Sequence, residues 1–222
     1  MIGLIEMKIS KKSQAVLDFF NKVFPNVGCE LNYDTDYGLL ISVVLSAQTT
    51  DKAVNKVTPI LFQRFPTLES LANADVNQIG ECIRQIGLYH AKAKNIKQIS
   101  IDLITRFDSK VPNNKKDLMS MPGVGNKTAN VILCELFHQN EFPVDTHIFR
   151  IAKRLNYTNE SDDVIVTEEK LRKAFPKDTY ILLHHQLIHF GRYICQSRKP
   201  NCEKCELHTY CKYYMQISKK KI

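Results

Sequence analysis

The sequence lacks an apolar run long enough to cross a membrane. Its longest apolar run, YGLLISVVLSAQ at residues 37–48, falls short of the roughly 20 residues that a membrane-spanning helix needs. The N-terminus also lacks the apolar segment and the cleavage site of a secretory signal peptide. We therefore expect a cytoplasmic protein with no membrane attachment.

Two further patterns are missing, and their absence narrows the fold class. No convincing alternation of apolar and polar residues indicates β-strands, and no repeat of solenoid period is visible. Apolar residues recur instead at helical spacing between proline and glycine breaks, which predicts an all-α fold with short connections. The predicted helices cover residues 10–24, 36–47, 51–65, 68–73, 75–82, 90–107, 115–120, 126–139, 146–155, 163–174 and 178–191.

One predicted helix differs from the others in its composition. Residues 37–47 are apolar nearly all round, which is typical of a central buried helix but, by local composition alone, also of a buried strand. The helical pattern of the neighbouring segments favours the helix.

The chain is basic, with 31 Lys and Arg against 23 Asp and Glu and a net charge of +8. These cations are spread through the sequence, which suits a polyanionic partner such as nucleic acid, although charge alone is a weak signal. The basic run SKKK at residues 218–221 is interpreted as a solvated tail.

The seven cysteines do not indicate a disulfide framework, because such frameworks belong to oxidising compartments. Four of them, Cys195, Cys202, Cys205 and Cys211, fall within 17 residues at the end of the chain. Four thiolates are enough for a tetrahedral zinc ion or a [4Fe-4S] cluster. Zinc ribbons generally use two separated Cys-x2-Cys pairs, whereas this segment has one such pair inside wider loops. The loops also carry cations that are able to contact phosphates.

A glycine-containing turn joins two predicted helices in LMSMPGVGNKTA at residues 118–129. Gly123 and Gly125 allow positive φ and close approach of a ligand, while the N–H groups of the turn and of the next helix suit a phosphate oxygen. A packing turn between two helices is the alternative interpretation. The second helix is predicted to begin near Asn126.

Lys127 therefore falls in the first turn of a helix, where a cation is unfavourable by ~0.3–1 kcal/mol. An ammonium that is partly desolvated there is destabilised relative to the neutral amine, and a neutral amine is a nucleophile for an electrophilic carbon such as sugar C1′. The alternative is that Lys127 only contacts phosphate as a positive charge.

Asp145 precedes the predicted helix of PVDTHIFRIAKRL at residues 143–155. Aspartate is a preferred N-cap, so capping alone explains its position. A carboxylate near Lys127 is also able to deprotonate the amine, or to stabilise the positive charge that builds on deoxyribose as a base departs. Capping and catalysis are compatible. His147 is expected to orient or pack rather than to act as a base.

Taken together, these segments resemble the endonuclease III family of iron–sulfur helix-hairpin-helix DNA glycosylases. The resemblance runs over nearly the whole chain. It includes LSAQTTD at 45–51, IGLYHAKAKNI at 86–96, LMSMPGVGNKTANVIL at 118–133, VDTHIFRIAKR at 144–154, HHQLIHFGRYIC at 184–195 and the cysteine cluster.

The resemblance implies two all-α domains with a DNA-binding cleft between them, and a [4Fe-4S] cluster held by the four cysteines. A six-helix domain with the helix-hairpin-helix is expected over residues 29–139. Residues 1–28 are expected to pack as an N-terminal helix with the cluster domain, residues 140–222.

It also implies roles for single residues. Lys127 matches the Schiff-base nucleophile and Asp145 the catalytic aspartate, while Gly123 and Gly125 belong to the DNA-gripping hairpin. Gln48 matches the side chain that fills the gap left by an extruded nucleotide, and Leu88 the wedge inserted into the base stack. Without the family, Leu88 would be interpreted as a core residue and Gln48 as a polar residue at a helix end.

The expected function is base-excision repair by a bifunctional DNA glycosylase and AP lyase. It acts on oxidised pyrimidines in duplex DNA and cuts 3′ to the abasic site by β-elimination, as a nucleoid-associated monomer. One alternative is a monofunctional mismatch glycosylase, which would typically lack a lysine at position 127. The other is a non-catalytic, metal-stabilised DNA-binding protein.

Overall fold

The computed structural model describes residues 9–219, and within that range the chain forms α-helices and short 3-10 helices but no β-strand. The α-helices are α1 (Lys11–Val23), α2 (Asp36–Leu45), α3 (Asp51–Arg64), α4 (Leu68–Asn73), α5 (Val76–Ile83), α6 (Tyr89–Arg106), α7 (Lys115–Met119), α8 (Asn126–Phe137), α9 (Thr146–Arg154), α10 (Val164–Ala174), α11 (Tyr180–Tyr193) and α12 (Lys212–Lys219). The all-α prediction is confirmed. None of the helices in the described range is long and apolar enough to span a membrane.

Side-chain caps explain why many helices begin where they do. Thr35 accepts the backbone N–H of Gly38 at the start of α2, and Thr50 accepts that of Ala53 at the start of α3. Each contact satisfies one of the amides that a helix N-terminus leaves without an intrahelical partner. The predicted bounds therefore agree with the structure to within about two residues, as is usual at helix ends.

The chain divides into two compact units, of which one is Cys29–Gln139. Its core centres on α2, in which every residue from Gly38 to Leu45 is buried, so the segment at 37–47 is the predicted central helix. Helix α8 packs against α2, while α4 and α5 pack along α6.

Cys29–Gln139 contains α2 to α8, seven helices where the resemblance implies six. Helices α4 and α5, which the hydrophobic pattern predicts as separate segments, are divided at Asp75, which accepts the backbone N–H of Asn77 at 2.7 Å and caps α5.

Within the described range, the other unit combines residues 9–28 with residues 140–219. Helix α11 packs against α9 and α1, and in the core of this unit the Phe190 ring meets the rings of Phe19 and Phe20 edge-on. The crossing of α9 and α11 is close at Gly191, where an added Cβ would lie 2.7 Å from the Cβ of His147. His147 thus has the packing role expected of it.

The C-terminal part contains elements that the hydrophobic pattern did not predict. Helix α12 follows Cys211 directly and contains no fully buried residue, so it lacks the buried apolar stripe from which the other helices were predicted. Ser218 and Lys219 of the basic run belong to α12 rather than to a tail. Residues 220 and 221 of that run lie outside the described residues.

Candidate active site and cysteine loop

The glycine turn between α7 and α8 is a helix-hairpin-helix. Met121 accepts the backbone N–H of Val124 at 3.3 Å, and Pro122 and Gly123 occupy the centre of this turn. Gly123 has φ of +79°, as the third position of a type II turn requires. Helix α8 then begins at Asn126, which confirms the start predicted from its apolar face.

The two glycines of the hairpin serve different purposes. A Cβ added to Gly123 would lie 2.6 Å from Nδ2 of Asn95 and 3.2 Å from Cγ1 of Val44, so this position requires glycine for both conformation and space. Gly125 is extended, with φ of −92°, and does not have the positive φ that was expected. Apart from its chain neighbours, no heavy atom of the described residues lies within 4 Å of a Cβ added there, so its backbone is open to approach.

Lys127 is the second residue of α8, and its side chain is exposed. Gly125 caps this helix without a side-chain hydrogen bond, so the capping residue supplies no acceptor for the amides of the first turn. An N-terminus of this kind carries partial positive charge and binds anions. The hairpin therefore presents a lysine nitrogen and an anion-binding helix end within three residues of each other.

Gln48 and Leu88, the two residues matched to duplex opening, share an unusual backbone. Both have left-handed conformations, with φ of 55° at Gln48 and 60° at Leu88. The Leu88 side chain is 61% exposed, so the interpretation of Leu88 as a core residue is wrong. A left-handed leucine costs ~1–2 kcal/mol, and strain of this kind concentrates at functional sites.

Sequence reasoning missed Lys92, which is only 4% exposed. Its Nζ atom donates a hydrogen bond to Oγ1 of Thr49 at 2.8 Å, and burial lowers the pKa of its ammonium group. Lys92 shares the buried face of α6 with Ala93, Ile96 and Ile99. A lysine within a buried stripe is the signal that could have identified it, because lysine is almost never buried without a partner.

Asp145 lies in the other unit and caps α9. Its Oδ1 atom accepts the backbone N–H of Ile148 at 2.8 Å, as the N-cap preference predicted, and the residue is half-buried. Burial lowers the pKa of nearby His147, and the charge of Asp145 partly opposes that effect. Arg150 Nη2 lies 3.2 Å from Nδ1 of the same histidine.

The four clustered cysteines, Cys195, Cys202, Cys205 and Cys211, line one pocket together with Arg154, Tyr213 and Tyr214. Cys195 follows α11, Cys202 is the first residue of a 3-10 turn and Cys205 directly follows that turn, and Cys211 directly precedes α12. Over residues 9–219, no group of three or more His, Cys, Asp or Glu side chains is drawn together closely enough to hold a metal ion.

Hydrogen-bond donors lie close to two of the sulfur atoms of this pocket. Arg154 Nη1 lies 3.2 Å from Sγ of Cys195, and the backbone N–H of Tyr214 donates to Sγ of Cys211 at 3.4 Å. Burial raises the pKa of the Cys205 thiol to about 11, so metal binding there requires loss of a proton. Four thiols with N–H donors match the donor set that holds an iron–sulfur cluster.

The cysteine loop is anchored to α9 by two arginines. Arg150 Nη2 donates to the carbonyl of Cys195 at 3.0 Å. Arg154 donates to the carbonyls of Gln196 at 2.8 Å and Ser197 at 3.1 Å, and its guanidinium stacks on the Tyr213 ring. The start of the loop is therefore held by charge-assisted bonds to α9, the helix that Asp145 caps.

Sequence comparison finds relatives over most of the chain. A family model of HhH-GPD superfamily base excision DNA repair proteins matches residues 41–177. The chain is 38% identical to endonuclease III of Bacillus subtilis over 210 residues, which is 95% of this chain and 96% of the relative. It is 42% identical to endonuclease III of Rickettsia felis over 199 residues, which is 90% of this chain and 93% of the relative.

Similar solved structures indicate the same family as the sequence relatives. A trapped endonuclease III–DNA covalent intermediate matches with a TM-score of 0.89 and 39% identity, over 95% of this chain and all of the other. A thermostable thymine-DNA glycosylase matches with a TM-score of 0.78 and 25% identity, over 93% of this chain and 98% of the other. The chain belongs to the endonuclease III family of base excision DNA repair enzymes, within the HhH-GPD superfamily.

Proposed function

We propose that this base-excision-repair DNA glycosylase and AP lyase removes oxidised pyrimidines from duplex DNA and cuts the strand 3′ to the resulting abasic site. Endonuclease III relatives about 40% identical to the chain, and the solved structures of endonuclease III on DNA, support duplex DNA as the partner. The observation that carries the proposal is the exposed Lys127, one residue after the open start of α8.

The hairpin grips the DNA backbone. The space in front of Gly125 allows a phosphate oxygen to approach the amides at the start of α8. Glycine at this position supplies no competing side-chain acceptor. The net charge of +8 adds attraction that weakens as salt is raised.

Lys127 supplies the nucleophile. Its neutral amine attacks C1′ as the bond between C1′ and the base breaks, and the departing base takes up a proton. Loss of a proton from the amine and opening of the sugar ring leave a Schiff base between Nζ and C1′. Removal of a proton from C2′ then expels the 3′ phosphate by β-elimination, and water hydrolyses the imine to release the enzyme.

Asp145 assists at two points. Its carboxylate stays ionised while the base leaves, so that it stabilises the positive charge that develops on the sugar, and it then takes up the proton that the attacking amine loses as the imine forms. Only one of its oxygens is needed to cap α9, through the 2.8 Å bond to Ile148.

Gln48 and Leu88 keep the duplex open while the damaged nucleotide is extruded. Leu88 inserts into the base stack, and Gln48 fills the gap that the nucleotide leaves. Flipping costs a few kcal/mol of unstacking, which inserted side chains partly offset. Their exposure and left-handed backbones are consistent with residues selected for contact with DNA rather than for folding.

The four cysteines are assigned as ligands of a [4Fe-4S] cluster. When bound, the cluster supplies four metal–thiolate bonds that hold the loop in one conformation. The loop carries Arg198, Lys199 and Lys204, which are exposed and offer their charges to DNA phosphates. The chemistry of strand cutting uses none of these groups.

We further propose that Cys29–Gln139 is the helix-hairpin-helix domain and that the other unit is the cluster domain. The protein works as a monomer in the bacterial cytoplasm and associates with the nucleoid through DNA. A monofunctional mismatch glycosylase is the second candidate, because a thymine-DNA glycosylase is among the structural neighbours. Lys127 argues against it.

Borohydride trapping tests the proposal. The purified protein is incubated with duplexes carrying an abasic site, an oxidised pyrimidine or a G·T mismatch, and reduced so that any imine becomes a stable covalent complex. Capture on the first two substrates is expected. Excision of mismatched thymine without capture would favour the second candidate, and DNA binding with no base release would contradict both.

A further inference from the structure

Lys92 occupies a position where a charged side chain is costly. It lies on the buried face of α6 and is 4% exposed, whereas lysines normally keep the ammonium in water. Its Nζ atom is directed to Oγ1 of Thr49, 2.8 Å away and 43 residues earlier in the sequence. A charge-assisted bond of this kind is directional and fixes the geometry of the two groups that it joins.

The two ends of this bond lie next to the two residues that are matched to duplex opening. Thr49 directly follows Gln48. Lys92 lies one helical turn after Leu88 and donates its backbone N–H to the Leu88 carbonyl at 3.0 Å. One residue therefore contacts both segments, through its side chain on one side and its backbone on the other.

We propose that Lys92 is a positioning residue for duplex opening. Its side chain holds the Gln48–Thr49 segment against the start of α6, so that Gln48 and Leu88 contact the DNA as one preorganised unit. This inference rests on the proposed function, because it assigns Lys92 to the base-extrusion step of that reaction.

The physical reason is the cost of ordering two exposed segments. Gln48 and Leu88 are exposed and left-handed, so the segments gain little from packing of their own side chains. Without the bond between Lys92 and Thr49, the two segments would become ordered only when DNA binds. The entropy cost of that ordering would reduce the binding free energy that is available to open the duplex. A side chain that orders both segments in the free protein removes the cost beforehand.

The test compares substrates that do and do not require duplex opening. Lys92→Met keeps the length of the side chain and removes the ammonium, and Thr49→Val removes the acceptor. A duplex with 2-aminopurine beside an oxidised pyrimidine reports unstacking by fluorescence, and a single-stranded abasic oligonucleotide reports cutting alone. Each variant should slow the fluorescence rise and duplex excision by about tenfold while leaving single-strand cutting unchanged.

Two comparisons separate positioning from general damage. In the double variant, the loss should equal that of either single variant, because both remove the same bond. Thr49→Ser keeps the hydroxyl and should keep the wild-type rate. Lys97→Met removes another lysine of α6, whose Nζ donates to the Ala74 carbonyl at 2.8 Å, and should leave the unstacking rate unchanged.

Equal slowing of duplex excision and single-strand cutting in Lys92→Met would overturn the positioning role, and so would additive losses in the double variant. A wild-type protein that cuts neither substrate would overturn the proposed function itself. That result is visible before any variant is compared, so the two failures are distinguishable.

Discussion

The Oδ1 atom of Asp145 accepts the backbone N–H of Ile148 at 2.8 Å, so the carboxylate proposed for catalysis is also the cap of α9. Capping needs an oxygen acceptor but no charge, since asparagine caps helices as well as aspartate does. Assistance to Lys127 needs a negative charge that takes up a proton. The two roles are therefore separable by a substitution that keeps the shape and removes the charge.

Asp145→Asn should retain the cap and lose the chemistry. We expect a free energy of unfolding close to that of the wild type and base release slower by about 10²–10⁴-fold, the usual contribution of a positioned acid–base group. Asp145→Ala should in addition lower the free energy of unfolding by ~1 kcal/mol, because it also removes the cap. Chemical denaturation and single-turnover excision measure the two effects separately.

Asp163 provides the matched control. It caps α10 in the same way, accepting the backbone N–H of Val166 at 2.8 Å, and has no proposed role in catalysis. Asp163→Asn should leave both stability and excision unchanged. If Asp145→Asn excises at the wild-type rate, Asp145 is a cap and nothing more.

Lys127→Ala should bind damaged duplex and fail to cut it. The substitution removes the proposed nucleophile, so borohydride should capture no covalent complex. Stability should not fall, because a cation near a helix N-terminus is unfavourable by ~0.3–1 kcal/mol. Lys116→Ala, at an exposed lysine on α7 of the same hairpin, should still be captured. Capture by Lys127→Ala would show that another amine forms the imine.

The fold could be predicted from the sequence largely because local signals agree with it. The buried stripes, the capping threonines and the prolines between helices each depend on residues close together in the chain, so they are visible in the sequence. Helix α12 lacks a buried stripe and was missed. Its position depends on the cysteine loop that precedes it rather than on its own pattern.

The site was predictable only in part, for a different reason. The hairpin and the positions of Lys127 and Asp145 at helix starts follow from local spacing, whereas their proposed roles rest on the family resemblance. The exposure of Leu88 also required that resemblance, since an isolated leucine is normally a core residue. The buried position of Lys92 could have been identified from the apolar stripe that it interrupts, but its partner could not, because Thr49 is 43 residues away. Long-range pairs of polar side chains leave no periodic trace in the sequence.

The two hairpin glycines should respond oppositely to substitution. Gly125→Ser places a hydroxyl at the N-cap of α8, where serine is a slightly better cap, so the free energy of unfolding should rise by about a few tenths of a kcal/mol. The same hydroxyl would occupy the amides proposed to bind phosphate, and DNA affinity should fall. Gly123→Ala instead should destabilise the protein, because the new Cβ would lie 2.6 Å from Asn95. Tighter DNA binding by Gly125→Ser would contradict the phosphate site.

Loss of a cysteine ligand should release the metal. The wild-type protein is expected to contain about four iron atoms per chain, and Cys202→Ala should lose most of them and melt at a lower temperature. Cys82→Ala, at a buried cysteine outside the loop, should keep its iron. Elemental analysis measures both, and one zinc per chain in the wild type would replace the cluster assignment by a zinc site.

Leu88 should show a trade of stability for function. Leu88→Gly removes the wedge and relieves the left-handed strain at φ of 60°, so stability should rise by about 1 kcal/mol while duplex excision falls. Leu88→Ala removes the wedge and keeps the strain, so only excision should fall.

The control variant is Asp108→Gly, which relieves a left-handed residue with φ of 52° outside the proposed site and should raise stability with no loss of excision. Denaturation midpoints and excision rates for the three variants test this directly, and a Leu88→Gly protein that excises at the wild-type rate would remove Leu88 from the opening step.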